Sequence, residues 1–242
     1  MIFTNRHPLG SFGLAAACLL GALATSAGGF AKSGPHPAPS AAPPIAATPE
    51  EVAALVDKVQ GFYDRAKTFK AHFVQRYFIA AYNKSKDSEG NVVFEKPGKM
   101  SWRYTSNANR VVSDGKVLKI YEAENKQMYE QDVNKSQYPA ALSFLMGTGN
   151  LKAAFSFQKL DPTVANFPGG HVLVGTPLEA TPAYQQMVLY VDGQTFQVRR
   201  VLLVDAQKNK NRFDFSAPFV NEKIPAAEFK FVPPPNTRVI RP

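Results

Sequence analysis

Cysteine is almost missing from this sequence. The only one, Cys18, lies inside the first apolar run. A lipidated Cys18 would follow Leu14, Ala15, Ala16 and Ala17, but the apolar run continues past it through Leu19, Leu20 and Leu23. Read instead as part of a removed leader, it leaves a mature protein with no disulfide, no thiol nucleophile and no Cys-ligated metal, in a compartment that permits disulfides. Histidine is also scarce, with four in the chain. His7 falls in the leader and His36 in a Pro-rich spacer. His72 shares a strand face with Lys70 and Arg76, and His171 follows Gly169-Gly170 without neighbouring ligand types. No G-x-S-x-G, H-E-x-x-H or P-loop pattern occurs. Enzyme chemistry, a metal and a cofactor are therefore not expected. After residue 31 no apolar run could span a bilayer as a helix.

The N-terminus carries Arg6 and then an uncharged stretch of Leu, Ala, Gly and Phe from Leu9 to Phe30. It is too rich in Gly and Ala for a membrane span. Small residues allow cleavage after Ala27 or Ala31, which resembles a bacterial secretory signal peptide over residues 1–31. That places the protein in the periplasm. Residues 32–49, rich in Pro, Ala and Ser with no apolar period, read as an extended spacer, and residues 50–242 as one domain. The net charge of +9 favours anionic surfaces. Lysine and arginine are scattered, however, and no recognition motif appears, so nucleic acid is not an expected partner. Arg199-Arg200 forms at most a small basic patch.

Thr48-Pro49-Glu50-Glu51 carries the marks of a helix start: a capping hydroxyl, proline in the first turn and two carboxylates at the positive end of the dipole. Val52, Leu55, Val56, Val59 and Phe62 then recur at helical spacing. From Phe69 the period changes to two. Further strands are expected at residues 92–94, 100–104, 110–113, 117–121, 127–131, 171–174, 187–191, 196–203, 212–215 and 228–232. Asp114-Gly115 and Asp192-Gly193 are hairpin signals, since both turn positions favour positive φ. Residues 138–147 and 150–154 have helical character. The sum is a long, curled antiparallel sheet of about ten strands with a few helices on one side.

Gly90 to Tyr104 reads GNVVFEKPGKMSWRY and contains the only tryptophan. Lys96-Pro97-Gly98-Lys99 is a turn. A two-residue loop would pair Lys96 with Lys99 and mix apolar with polar side chains. A three-residue loop pairs Glu95 with Lys99 and gathers Val92, Phe94, Met100, Trp102 and Tyr104 on one face. The register that collects the apolar set should win, leaving Asn91, Val93, Lys99, Ser101 and Arg103 facing outward. Whether helices fill this apolar face or a ligand does remains open at the level of pattern.

An opening helix followed by FKAHFVQRY, GNVVFEKPGKMSWRY, VVSDGKVLKIYEAENKQM, YPAALSFLMG, LYVDGQTFQVRRV and FKFVPP resembles, in that order, the LolA family of periplasmic lipoprotein carriers. The resemblance runs from about Glu50 to Val239. It implies a mainly β (α+β) fold, an incomplete, strongly curved antiparallel β-barrel of about eleven strands with helices forming a lid over an apolar cavity. It implies a monomeric, non-enzymatic carrier. Acylated lipoproteins would be the cargo, received from an inner-membrane ABC transporter and passed to an outer-membrane acceptor.

The acyl-chain-binding positions carried over are Phe73, Val92, Phe94, Met100, Trp102 and Tyr104, with Leu118 and Ile120 beside them. Leu142, Leu145 and Met146 fall on the lid helix. In the family the residue before the turn proline is an arginine that latches the lid through helix backbone carbonyls. Here it is Lys96, which keeps the charge but loses the planar fork of donors. The same half-barrel also occurs in carriers of other lipids or glycolipids and in periplasmic lipid sensors, which stand as the alternative reading.

Overall fold

The computed structural model describes residues 47–133, 144–145 and 149–241. The first helix, α1 (Pro49–Arg65), begins where expected. Thr48 accepts from the Glu51 amide while the Glu51 carboxylate accepts from the Thr48 amide, closing a capping box. Its buried stripe is Val52, Leu55, Val56, Val59 and Tyr63. Tyr63, not the expected Phe62, takes the last position because it continues the row one turn beyond Val59. Phe62 packs edge-on against the Tyr63 ring.

Strands then follow in chain order. They are β1 (Thr68–Ile79), β2 (Lys84–Glu95), β3 (Lys99–Tyr104), β4 (Arg110–Asp114), β5 (Val117–Glu122) and β6 (Gln127–Asp132). After a short helix, α2 (Leu151–Ala154), come β7 (Phe155–Leu160), β8 (Gly170–Pro177), β9 (Gln186–Asp192), β10 (Val198–Val204), β11 (Lys210–Val220) and β12 (Arg238–Ile240). All twelve form one sheet, in the order β12-β6-β5-β4-β3-β2-β1-β11-β10-β9-β8-β7. Neighbours are antiparallel except β12, which runs parallel to β6.

The hairpin β2–β3 has the apolar-gathering register. Glu95 opposes Lys99, Phe94 opposes Met100, Val92 opposes Trp102 and Gly90 opposes Tyr104. Glycine is required at position 90: a Cβ there would lie 2.0 Å from the Arg103 carbonyl oxygen. At Asp114-Gly115 only the glycine has positive φ. Asp114 acts through its side chain instead, accepting from the Lys116 and Val117 amides at 2.9 Å. Asp192-Gly193 opens a longer loop, with the Asp192 carboxylate accepting from Gln194 and Thr195.

Three expectations are corrected. The strand expected at residues 92–94 is the end of a twelve-residue strand. Its polar half alternates without an apolar face, so pattern alone passes over it, yet β1 pairs with it along its whole length. The strand expected at residues 228–232 is a 3-10 turn, Ala226–Phe229, followed by extended chain. That segment straps the outer face of β3 and β4. Consequently Ser101, expected to face solvent, is buried, and Val93, expected outward as well, is buried too. Ser101 donates to Glu228 at 2.7 Å, the Arg103 guanidinium reaches the same carboxylate, and Arg110 lies over the Phe231 ring. Alternation tells which face a residue takes but not what later covers that face. The helix expected over residues 138–147 lies outside the described residues, apart from Phe144 and Leu145, which form a turn.

Candidate functional site: the apolar interior

Side chains alternate along a strand, so one face of β1–β5 and β8–β11 gathers the buried apolar side chains and the twist turns it inward. At its centre Trp102 is 1% exposed. Its ring meets Phe213 at 5.2 Å and Phe73 at 4.9 Å, both edge-on, with Phe94 and Phe215 slightly farther. Such pairs add about 0.5–1.5 kcal/mol each beyond the area they bury. Phe73, Val92, Phe94, Met100 and Leu118 belong to the same buried cluster. Tyr104 and Ile120 lie half-buried against it, Tyr104 touching Phe73 edge-on at 5.0 Å. Leu145 is buried there too. Leu142 and Met146 lie outside the described residues.

Other wall residues were not singled out by sequence. Phe213 and Phe215 come from β11, Met187 and Leu189 from β9, and Phe144 from the turn beside Leu145. The alternation N-R-F-D-F-S marked β11 as a strand. Which strand it neighbours is not a local property, and that decides whether its phenylalanines reach Trp102. They do because β11 pairs with β1, far away in sequence, with Phe73 opposite Phe215.

The interior is closed by α1 and by residues 144–145. The buried stripe of α1 and Phe144 join the sheet's apolar cluster, and Tyr63 stacks edge-on against Phe144 at 5.1 Å. Four polar anchors hold α1 down. The Tyr63 hydroxyl, fully buried, accepts from the Val198 amide at 3.0 Å, and burial raises its pKa well above the ordinary phenol value. Gln60 accepts from the Leu151 amide at 2.8 Å. Lys152 pairs with Asp57 at 2.5 Å. Finally, the Lys96 ammonium donates to the Tyr63 carbonyl and, at 3.3 Å, to the Asp64 carbonyl. Both carbonyls belong to the last turn, that of Tyr63 also accepting from the Ala66 amide at 3.1 Å, and there the dipole is negative and a cation is favoured. Burial pushes the Lys96 pKa down, and Asp64 opposes that shift.

Among the described residues, the two remaining histidines do not meet a carboxylate cluster. His72 lies near Ser216, and His171 stacks on Phe196 with burial and then Lys159 lowering its pKa. Arg199 and Arg200, read as a small basic patch, are each paired, with Asp192 and Asp214. What the arrangement can do is bury apolar material between a curved aromatic wall and a helix held by a few polar contacts.

Comparison with known proteins places the sequence in a family. The family model "Outer membrane lipoprotein carrier protein LolA" matches residues 64–232. An outer-membrane lipoprotein carrier protein of Cupriavidus pinatubonensis is 28% identical, covering 80% of this chain and 90% of its own length. One from Bordetella avium is 27% identical, covering 76% and 86%. A LolA superfamily crystal structure from Nitrosomonas europaea aligns over 74% of this chain and 97% of its own, at 11% identity and a TM-score of 0.43. The chain belongs to the LolA family of outer membrane lipoprotein carrier proteins.

Proposed function

We propose that this protein is a periplasmic carrier that shelters the acyl chains of lipoproteins between its inner sheet face and α1. It would take cargo from an inner-membrane ABC transporter and release it to an acceptor at the outer membrane. The observation that carries the reading is the closed interior: an aromatic wall shut by a helix whose polar anchors are few. Phe73, Val92, Phe94, Met100, Trp102, Tyr104, Leu118 and Ile120 would contact the chains. Leu142, Leu145 and Met146 would cover them, and Lys96 would act as the latch.

The energies match such a cycle. Acyl burial is worth about 0.8 kcal/mol per methylene, so one long chain gains on the order of 10 kcal/mol. Lifting the stripe of α1 off the sheet forfeits a similar sum, roughly 10 kcal/mol at about 1.5–3 kcal/mol per buried side chain. Loading therefore exchanges one apolar burial for another and is close to balanced. Closing α1 afterwards recovers burial as cargo leaves, so the protein binds tightly enough to carry and weakly enough to release.

The test is native mass spectrometry of the protein isolated gently from the periplasm of its host, beside Tyr104→Glu. Tyr104 is half-buried at the rim of the wall, so the fold should tolerate a carboxylate there that the acyl chains would not. Acylated lipoprotein bound to the wild type and lost from the variant is the expected result. Free lipid without peptide would replace this reading by a carrier or sensor of other lipids. Absence of any apolar cargo would overturn both.

A further inference from the structure

We propose that the tip of the β1–β2 hairpin docks the protein on a bilayer surface rich in anionic headgroups. β3 ends at Tyr104, opposite Gly90, but β2 continues back to Lys84 and is there paired with β1 alone on its inner side. The hairpin therefore runs on past the end of β3, while β1 stays paired with β11 as far as Phe78. Its tip is the 3-10 turn Ala80–Tyr82, closed by Asn83 in the left-handed region. The Ala80 amide donates to Asn209 at 3.0 Å, which ties the tip to the turn between β10 and β11. Two loops thus form one tip.

That tip has a distinct chemistry. Tyr82 is 72% exposed at its end, with Ala80 and Ala81 beside it. Lys84 and Lys86 stand on β2, and Lys208 and Lys210 on the neighbouring turn and β11, all exposed. None of these four ammonium groups makes an ion pair among the described residues. The nearby carboxylates are engaged: Asp87 with Arg76 at 2.7 Å, and Asp205 with the amides of its own turn. The tip is convex. Its cations are lysines, point charges that suit a diffuse field of headgroups better than the directed fork a carboxylate partner would favour. A tyrosine among lysines has one apolar body and one wet end, the combination that settles at the headgroup level.

The orientation matters for the apolar interior. Lys86 opposes Tyr77, Ser88 opposes Gln75 and Gly90 opposes Phe73, so alternation puts Lys86 on the inner face that leads to the aromatic wall. A tip seated on a membrane would turn the rim of the interior toward the lipid. The docking stands independently of what the interior carries.

Flotation of the host-processed protein with vesicles tests this. Phosphatidylglycerol-containing vesicles should carry the protein at low salt, and phosphatidylcholine vesicles should not. Each lysine near an anionic surface contributes about fivefold, so Lys84→Ser/Lys86→Ser should weaken partition by about 25-fold. Tyr82→Ser should lower it by a salt-independent factor. Lys116→Ser/Lys223→Ser, exposed lysines elsewhere, should stay within about twofold. Thermal melts confirm that each variant is folded. Equal partition to both vesicles, or an unchanged Lys84→Ser/Lys86→Ser variant, overturns the proposal. So does binding only to vesicles that contain membrane protein, which would make the partner an acidic protein surface.

Discussion

Replacing Lys96 with alanine should loosen the end of α1 without disturbing the wall. The ammonium donates to two carbonyls of the last helical turn, Tyr63 and Asp64. A hydrogen bond to a charged group is worth about 1.5–3 kcal/mol, and a cation at a helix C-terminus up to about 2. Against this stands the cost of holding an ammonium partly out of water, the cause that lowers its pKa. The net is about 1–2 kcal/mol, a 5- to 30-fold shift toward detached α1. Amide exchange over residues 59–66 should accelerate by that factor, while exchange in β9 and β10 stays unchanged. Uptake of an apolar fluorescent probe should rise in parallel. Lys96→Arg should keep the helix closed, since the guanidinium retains the charge and adds donors. If Lys96→Ala leaves α1 exchange within about twofold of wild type, less than 0.5 kcal/mol, Lys96 is only a turn residue and the latch is wrong.

Other consequences can be checked separately. Tyr63→Phe leaves the buried Val198 amide without its acceptor and should cost about 1–3 kcal/mol in a denaturant titration. Gly90→Ala drives a Cβ into the Arg103 carbonyl. It should break the β2–β3 pairing there, lowering the melting temperature by several degrees, whereas Gly169→Ala meets only an unfavourable φ and open space. Asp192, whose pKa is lowered to about 2 chiefly by the Thr195 amide, stabilises the fold above its unfolded pKa of 3.8. That contribution fades as pH falls through about 2. Asp192→Asn should therefore remove about 1–2 kcal/mol at neutral pH and flatten the acid limb between those values. Glu228→Gln weakens the contacts with Ser101 and Arg103. It should loosen the strap, read as faster exchange of the β12 amides with β1–β2 exchange unaffected.

Local chemistry determined a good deal of this molecule by itself. The helix start at Thr48, the stripe of α1 as far as Val59 and the β2–β3 register all follow from interactions a few residues apart. The register is the clearest case: slipping Glu95 against Lys99 by one residue would turn Trp102 and Met100 out to solvent, and no other part of the chain is needed to forbid that. The order of motifs likewise pointed to the family. Pairings across long stretches of chain were settled only by the tertiary structure. β11 completes the aromatic wall because it lies beside β1, and nothing within N-R-F-D-F-S specifies that neighbour. The polar half of β2 is a strand only because β1 offers it partners. Ser101 looks solvent-facing by alternation and is buried because residues 226–232 return across it. A strand's period fixes which way a side chain points. What that side chain meets depends on the free energy of the whole packed sheet, which no window of sequence contains.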